Sequence, residues 1–492
     1  MRRIAATVLG ICACLAPATA AAAAPRANPT CAHFGRPAVA SDVRPHALRV
    51  FAIQFRQQPA AITSARSYSH AIDCAIRTEV LPHLARGRPN LVVFDEDIGL
   101  EAIAAGPRGA AARAVLRTGS PGCRGQASPC ETLATLSAVD AGYGRALTYL
   151  GGHFPNLSGQ LGRSFVAATD DFVRTFMATM AAAALRYGVY VVASNTQAPF
   201  ALTRNRAAVA ALRASPSEHE VYAPTQGRAF DQTFIWGPRV IHRHAPAPTA
   251  NLIAVNRKVP LTLFEQALGF APGPATGPAA RANLEPVAIP GTGARLGFAT
   301  SLPAFEYGNP GAPGGACANV AVTYMRCLNK LGANVVIQAD ANDGQWSGAD
   351  GNELWQPLSW MGSAYRAVTD PSVRFAYAVN PFMVGNLADT PFDGQSAILE
   401  RGRRGAGCHY VGNGVVVPGD DLPQFRTYAG DKPQFLALAP WVAPDGPRAG
   451  LRTTGSELAA ATGPLQYVQT AVIADLPFPL DRNRAGCKVA GR

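Results

Sequence analysis

Short apolar runs alternate with longer helix-like segments along most of this chain. The β-rich run 48–55, LRVFAIQF, is followed by a helix-like segment to about residue 86 and then by the apolar run 90–97, NLVVFDED. The same alternation predicts further strands at 189–195, 230–238, 252–258, 295–301, 333–340, 374–380 and 469–476. Helices are predicted between several of these strands, notably over 162–186 and 316–331. Strands that alternate with helices indicate an α/β layered fold.

The remaining segments set the domain organisation. Residues 25–47 are rich in proline and alanine and are predicted to form a leader before a single domain over 48–480. Residues 100–160 and 405–465 are rich in glycine and proline, which predicts insertions or long loops within that domain. With 492 residues and a hydrophobic content of 48%, the chain is long enough to bury a sizeable core.

The N-terminus has the pattern of a secretory signal peptide. Arg2 and Arg3 provide the charged start, and an apolar stretch over 4–24 ends in small residues that suit an A-x-A cleavage site. An uncleaved membrane anchor is the alternative because the stretch nears spanning length, but alanine is a weak membrane residue. We therefore expect export to the periplasm, the cell envelope or the medium, with removal of residues 1–24 as the signal peptide.

The cysteine content agrees with export. Two of the 10 cysteines, Cys12 and Cys14, lie in the predicted signal peptide, so 10 − 2 = 8 remain. The eight are Cys31, Cys74, Cys123, Cys130, Cys317, Cys327, Cys408 and Cys487. An even number in an exported chain predicts disulfide pairing, and Cys123 and Cys130 flank a turn-rich loop that makes them the easiest pair. A zinc site is disfavoured because no paired C-x-x-C spacing occurs.

The charge of the chain argues against one class of partner. The formal net charge is +12, from 44 basic and 32 acidic residues. No run of basic residues is long enough to follow a phosphate backbone and no groove-binding motif is present, so no nucleic-acid partner is predicted. The excess of positive charge is typical of an arginine-rich composition, and it also allows peripheral contact with an anionic cell envelope.

Two segments carry a carboxylate and a lysine in contexts that favour catalysis. The first, 91–96, is an apolar strand that ends in Glu96, where a carboxylate is costly to bury without a partner. The second, 256–261, contains Lys258 and is followed by Glu265, seven residues after the lysine. Taken singly, Glu96 is typical of a surface residue at a strand end and Lys258 of a solvated side chain. Together they favour a functional site.

Two further segments complete the pattern. The run 295–301 is a strand that ends in Ser301, and the run 332–336 is a strand that leads into a polar loop. In this order, the four segments resemble the nitrilase, or carbon–nitrogen hydrolase, superfamily. The resemblance spans roughly residues 48–400, with a last strand near 470–476. The lysine segment is most similar to the apolipoprotein N-acyltransferase branch, although this chain lacks the membrane spans of that enzyme.

The resemblance implies a four-layer αββα sandwich in which two β-sheets lie between layers of helices. It implies an amide-type carbon–nitrogen hydrolase, or a related acyl-transfer enzyme, that acts on a small-molecule amide or acyl substrate. Glu96 is then the general base and Lys258 the group that stabilises the oxyanion. Glu265 is an orienting second carboxylate and Ser301 the nucleophile. The resemblance implies no cofactor and no metal, and family members commonly form oligomers through one face of the fold.

The sequence departs from the family pattern at the nucleophile. Ser301 stands where the family has cysteine, and Asp95 stands where the family usually has proline before the glutamate. A thiol has a pKa of about 8.5 and needs little help to form a thiolate, whereas a serine hydroxyl is far less acidic and usually needs a close His or Lys base. Lys258 could be that base only if burial kept it neutral.

These departures leave two alternatives open. Cys317 opens a helix-like segment, where a thiolate is favoured, and is a rival nucleophile, although its use leaves an odd number of cysteines to pair. The other alternative is a catalytically inactive relative that keeps the pocket as a binding or envelope-interaction module. Ser301, Asp95 and the extra residues 307–315 beside the nucleophile turn favour this second alternative.

Overall fold

The computed structural model describes residues 31, 34–126, 129–157, 161–309, 314–343, 356–392, 394–405, 407, 433–439, 468–481 and 486–489. The predicted signal peptide, residues 1–24, and most of the predicted insertion 405–465 lie outside these residues. Within the described part of the chain, no helix is both long enough and apolar enough to traverse a bilayer.

Strands form at every position where the apolar pattern predicts one. In chain order the described strands are β1 (Ala38–Ala40), β2 (Leu48–Arg56), β3 (Asn90–Val93), β4 (Tyr190–Gln197), β5 (Phe200–Thr203), β6 (Val221–Pro224), β7 (Phe230–Trp236), β8 (Leu252–Arg257), β9 (Val287–Ala288), β10 (Arg295–Phe298), β11 (Val335–Ile337), β12 (Tyr377–Asn380), β13 (Met383–Leu387), β14 (Thr390–Phe392), β15 (Ala397–Glu400), β16 (Phe435–Leu438), β17 (Thr470–Leu476) and β18 (Lys488–Val489). All four residues of β3 are buried, as expected of a strand that is covered on both faces.

Helices fill most of the intervals between the strands. The described α-helices are α1 (Ala65–Ala75), α2 (Ala110–Thr118), α3 (Cys130–Gly142), α4 (Gly144–His153), α5 (Arg163–Ala167), α6 (Thr169–Phe172), α7 (Ala178–Tyr187), α8 (Arg206–Leu212), α9 (Leu263–Ala267), α10 (Gly277–Asn283), α11 (Val320–Lys330) and α12 (Gln356–Thr369). A π-helical turn over Val173–Met177 joins α6 to α7, so the helix predicted over 162–186 is confirmed as a nearly continuous helical segment. The helix predicted over 316–331 is confirmed as α11.

Two large sheets dominate the structure. The first has the strand order β1–β17–β2–β3–β4–β7–β8, with β13 and β14 added beside β2. Its centre, β2–β3–β4, is parallel, whereas β7 and β8 return antiparallel. The second sheet has the order β18–β16–β15–β12–β11–β10–β9, and its strands β10, β11 and β12 are parallel. Parallel strands point their carboxyl ends to one edge, where ligand sites of α/β proteins commonly lie.

Three hydrophobic clusters show how these sheets are layered. One cluster joins inward residues of the first sheet, such as Val50 and Leu91, to Leu296 and Val335 of the second, so the sheets pack face to face. A second cluster joins the opposite face of the first sheet to α1 and α7. The third joins the outer face of the second sheet to α11 and α12. The four-layer αββα arrangement is therefore confirmed.

The described part of the segment 100–160, which its glycine and proline content predicts to be an insertion or a long loop, is mostly helical. It contains α2, α3 and α4, whose buried side chains join the cluster on the outer face of the first sheet. The turn-forming residues lie at the helix ends, where Gly119 ends α2 with a φ of 70° and Pro129 precedes α3. Alanine and leucine between those ends favour helix.

Six of the described cysteines form three disulfide pairs with one another. The predicted pair Cys123–Cys130 is confirmed, and the structure adds the pairs Cys31–Cys74 and Cys317–Cys327. Cys487 is also disulfide-bonded. The pairing of Cys317 removes the free thiol on which its role as a rival nucleophile depends, because a sulfur in a disulfide cannot form a thiolate.

Candidate active site

Lys258 lies at the centre of a buried cluster of charges. It follows β8, and its backbone N–H donates to the carbonyl of Asp231 at the start of the antiparallel neighbour β7 (3.0 Å). Its Nζ lies 2.6 Å from Oε1 of Glu96, 3.0 Å from Oε1 of Glu265 and 3.3 Å from Oδ2 of Asp231. The lysine is only 4% exposed, so water contributes little to the solvation of its charge.

Glu96 reaches this cluster from the carboxyl end of β3, near the middle of the first sheet. Its Oε1 accepts a hydrogen bond from Lys258 Nζ, and its Oε2 accepts one from the backbone N–H of Ala341 (2.9 Å). Ala341 follows β11 of the second sheet, so the carboxylate bridges the strand ends of both sheets. The interpretation of Glu96 as a strand-end surface residue is therefore wrong.

Glu265 is oriented by the start of helix α9. Thr262 caps this helix, and Oε2 of Glu265 accepts from both the backbone N–H and Oγ1 of Thr262 (2.7 and 2.8 Å). This is a capping box, in which the residue at the third helical position bonds back to the cap. The arrangement leaves Oε1 directed at Lys258, so local helix chemistry positions the second carboxylate.

Asp231 is the member of the cluster that the sequence analysis missed. It is 1% exposed and lies within β7, where every residue is buried. The available signal was an acidic residue inside the predicted strand 230–238, where a buried ionisable side chain needs a specific partner.

The electrostatics of the cluster follow from one cation among three acids. Burial raises the pKa of Glu96, the charge of Lys258 opposes that rise, and the neighbouring acids Glu265 and Asp97 add to it, so the pKa is about 7. Burial alone lowers the pKa of Lys258, but the three carboxylates outweigh it and raise that pKa well above its ordinary value. Lys258 is therefore an ammonium at neutral pH, and the hypothesis of a neutral lysine base is wrong.

Ser301 occupies a strained turn directly after β10. The residue is 3% exposed and has φ 57° and ψ −121°, which a side chain with a Cβ rarely adopts. Its N–H donates to the carbonyl of Ala339 (3.1 Å), and its own carbonyl accepts from Ala304 (3.0 Å). Such outliers persist only where surrounding bonds enforce them, and they concentrate at functional sites.

Short connections join this turn to the charged cluster. Ala339, which accepts from Ser301, lies two residues before Ala341, which donates to Glu96. Asp340 between them accepts hydrogen bonds from the amides of Gln338 and Asn380. In addition, Thr300 Oγ1 lies 2.7 Å from Oγ1 of Thr233, which is on the same strand as Asp231 and two residues beyond it.

The three acids surround a cation that the chain itself provides. Carboxylate oxygens of Glu96, Asp231 and Glu265 lie within 4.8 Å of one another. The ammonium of Lys258 contacts all three side chains and occupies the position between them. Elsewhere, Cys31, His70 and Cys74 lie close together, and the two sulfurs are joined in a disulfide.

No family model and no curated protein matches this chain. Among solved structures, the chain is similar to an amidase of the nitrilase superfamily from Nesterenkonia AN1, with 13% identity and a TM-score of 0.35 over 73% of this chain and 84% of that chain. It is also similar to a carbon–nitrogen hydrolase from Helicobacter pylori G27, with 12% identity and a TM-score of 0.36 over 72% and 82% of the two chains. These likenesses assign no substrate and no residue role to this chain.

Proposed function

We propose that this protein is a carbon–nitrogen hydrolase of the nitrilase type, which cleaves small-molecule amides or transfers their acyl group. The observation that carries the proposal is the buried contact of Lys258 with Glu96 and Glu265 at the strand ends, where the backbone of residues 339–341 links Glu96 to the strained turn of Ser301. Covalent amide chemistry needs a nucleophile, a base and a cation for the oxyanion, and this set supplies all three.

The reaction that we propose begins with attack of Ser301 Oγ on the amide carbonyl carbon while Glu96 takes the hydroxyl proton. The ammonium of Lys258 stabilises the oxyanion of the tetrahedral intermediate. When the C–N bond breaks, Glu96 returns the proton to the leaving amine and an ester with Ser301 remains. Water, deprotonated by Glu96, then hydrolyses the ester to the acid, or a second nucleophile takes the acyl group.

The electrostatics support this division of roles. A base works best when its pKa lies near the working pH, and that of Glu96 is about 7. The three surrounding acids hold Lys258 in its charged form, which suits an oxyanion partner and excludes it as the base. Glu265, fixed by Thr262, keeps the ammonium in place.

The proposal also covers the location of the enzyme, its relationship to one branch of the superfamily, and its association with the envelope and with other copies. We propose that it is exported with loss of residues 1–24, which the disulfide pairs of the described residues support. We further propose that the lysine segment is related to the N-acyltransferase branch, and that contact with the envelope is peripheral. Association of copies through one face of the fold is part of the same proposal.

Turnover of a panel of small aliphatic amides tests the assignment. Glu96→Gln and Ser301→Ala should each lower kcat/KM by at least about 100-fold, because each removes a group that acts in the chemical step. Ser164→Ala is the matched control, since Ser164 is also buried and its hydroxyl has no hydrogen-bond partner among the described residues. Full activity in Glu96→Gln, with the fold intact, would discard the assignment.

A second candidate function is a binding or envelope-interaction module with a dead catalytic site. The observation that favours it is Ser301 itself, because a carboxylate is a weak base for a hydroxyl. If only the nucleophile is lost, the parent protein has no amidase activity and Ser301→Cys creates it. If Ser301 is a working nucleophile, the parent is active and resists thiol-alkylating reagents.

A further inference from the structure

The three acids around Lys258 differ in how their oxygens are satisfied. Glu96 and Glu265 each direct Oε1 at Lys258 and accept a backbone hydrogen bond with Oε2. The donor is the N–H of Ala341 for Glu96 and the N–H of Thr262 for Glu265. Neither oxygen of Asp231 accepts a hydrogen bond from any described residue, although the side chain is buried and lies 3.3 Å from the ammonium. Of the three carboxyl groups, Asp231 is therefore the one whose negative charge is least stabilised by hydrogen bonds.

The charge of the cluster points in the same direction. One ammonium contacts three carboxyl groups whose oxygens lie within 4.8 Å of one another. If all three were ionised, two negative charges would remain uncompensated in a place that excludes water, and like charges at this distance favour protonation of one group. The titratable groups that act on Asp231 or feel its charge are Glu96, Asp97, Lys258, Glu265 and Tyr324.

We propose that Asp231 is a positioning residue that holds a proton at neutral pH and shares it with Glu96. The neutral carboxylic acid of Asp231 then holds the base, Glu96, in position. The inference rests on the proposed role of Glu96. Burial raises the pKa of Asp231 well above its ordinary value, Lys258 opposes this, and the charges of Glu96 and Glu265 reinforce it. Protonated Asp231 can donate to Glu96 while its carbonyl oxygen faces Lys258, which keeps both groups aligned.

An infrared experiment tests the protonation directly and needs no enzymatic activity. In the spectrum of the parent minus that of Asp231→Asn at pH 7, we expect a band of a protonated carboxylic acid and no band of a carboxylate. A carboxylate band in that difference spectrum overturns the proposal. Because this readout is independent of turnover, it stands or fails separately from the proposed hydrolase function.

The stability of the same variant gives a second test. An amide reproduces the shape and charge of a neutral acid, so Asp231→Asn should keep the thermal midpoint of the parent. The matched control is Asp475→Asn, because Asp475 is equally buried but its carboxylate contacts Arg49 and Arg88 (2.6 and 3.2 Å). We expect the control to lower the midpoint. A variant at position 231 that loses as much as the control, or fails to fold, contradicts the proposal.

The pH profile separates positioning from a structural role. If Asp231 is neutral, Asp231→Asn leaves the acid limb of kcat/KM in place and removes any loss of activity caused at alkaline pH by ionisation of Asp231. If Asp231 were ionised at neutral pH, its replacement would take away a negative charge and lower the pKa of Glu96. The acid limb would then move to lower pH by about one unit, and the proposal would be wrong.

Discussion

At the scale of single residues, the sequence identified the charged partners but not their number. Glu96, Lys258 and Glu265 were predicted from motif order and meet in the structure. Asp231 was missed because its partner is 27 residues away and only the pairing of β7 with β8 brings them together. The strain at Ser301 was also beyond prediction, since it depends on bonds from a neighbouring strand end.

The first prediction at this scale concerns the cation. Lys258→Met removes the charge on which the surrounding carboxylates depend, and we expect it to lower the free energy of unfolding by about 3 kcal/mol at pH 7. Urea unfolding measures this loss. Lys330→Met, at an exposed position at the end of α11, is the control and should change stability little. Equal stability of the two variants would show that the cluster does not need its cation.

At the scale of elements, apolar periodicity predicted the strands, and the order of strands and helices predicted the layers. Composition was less informative for residues 100–160, which were predicted as an insertion or a long loop and whose glycine and proline lie at helix ends. The distinction depends on position within a helix rather than on composition, because the same residues end one helix and start the next.

The second prediction concerns the short helix α9. Thr262→Ala removes the side chain that caps this helix and also bonds Glu265, so we expect a loss of about 1 kcal/mol in the free energy of unfolding. We also expect a fall in kcat, because Glu265 loses its orientation toward Lys258. Thr276→Ala is the matched control, since Thr276 precedes α10 without a side-chain cap bond. An equal loss of stability in both variants would contradict the capping role.

At the scale of the whole molecule, the site exists only because two sheets meet at their strand ends. Glu96 and Lys258 are 162 residues apart in the chain, yet their strands lie in one sheet, and Ala341 reaches them from the other. Motif order suggested that the segments belong together. Motif order does not predict the face-to-face packing of the two sheets, which buries the cluster and raises the pKa of Glu96.

The third prediction concerns the oxidised state of the molecule. If the exported protein keeps all eight cysteines in disulfides, thiol titration of the denatured mature protein should find no free thiol. Reduction should then expose eight, and N-terminal sequencing should begin near residue 25. Mature protein that starts at Met1, or that has eight free thiols before reduction, would contradict export.

The last prediction concerns the pH dependence of folding, to which several buried acids contribute. Burial raises the pKa of Glu101 from its ordinary value of 4.5 to about 8, and one of its oxygens has no hydrogen-bond partner among the described residues. The folded state therefore holds this proton more tightly than the unfolded chain does. The stability that results is complete below about pH 4.5 and is lost as the pH rises to about 8, at up to about 1.4 kcal/mol per pH unit.

We expect Glu101→Gln, which stays neutral, to match the parent at pH 5 and to have the higher thermal midpoint at pH 9. Glu285→Gln, whose side chain is 66% exposed, should follow the parent at both pH values. A parent midpoint that is independent of pH, or a Glu101→Gln variant that is less stable than the parent at pH 9, would show that Glu101 is ionised in the folded protein.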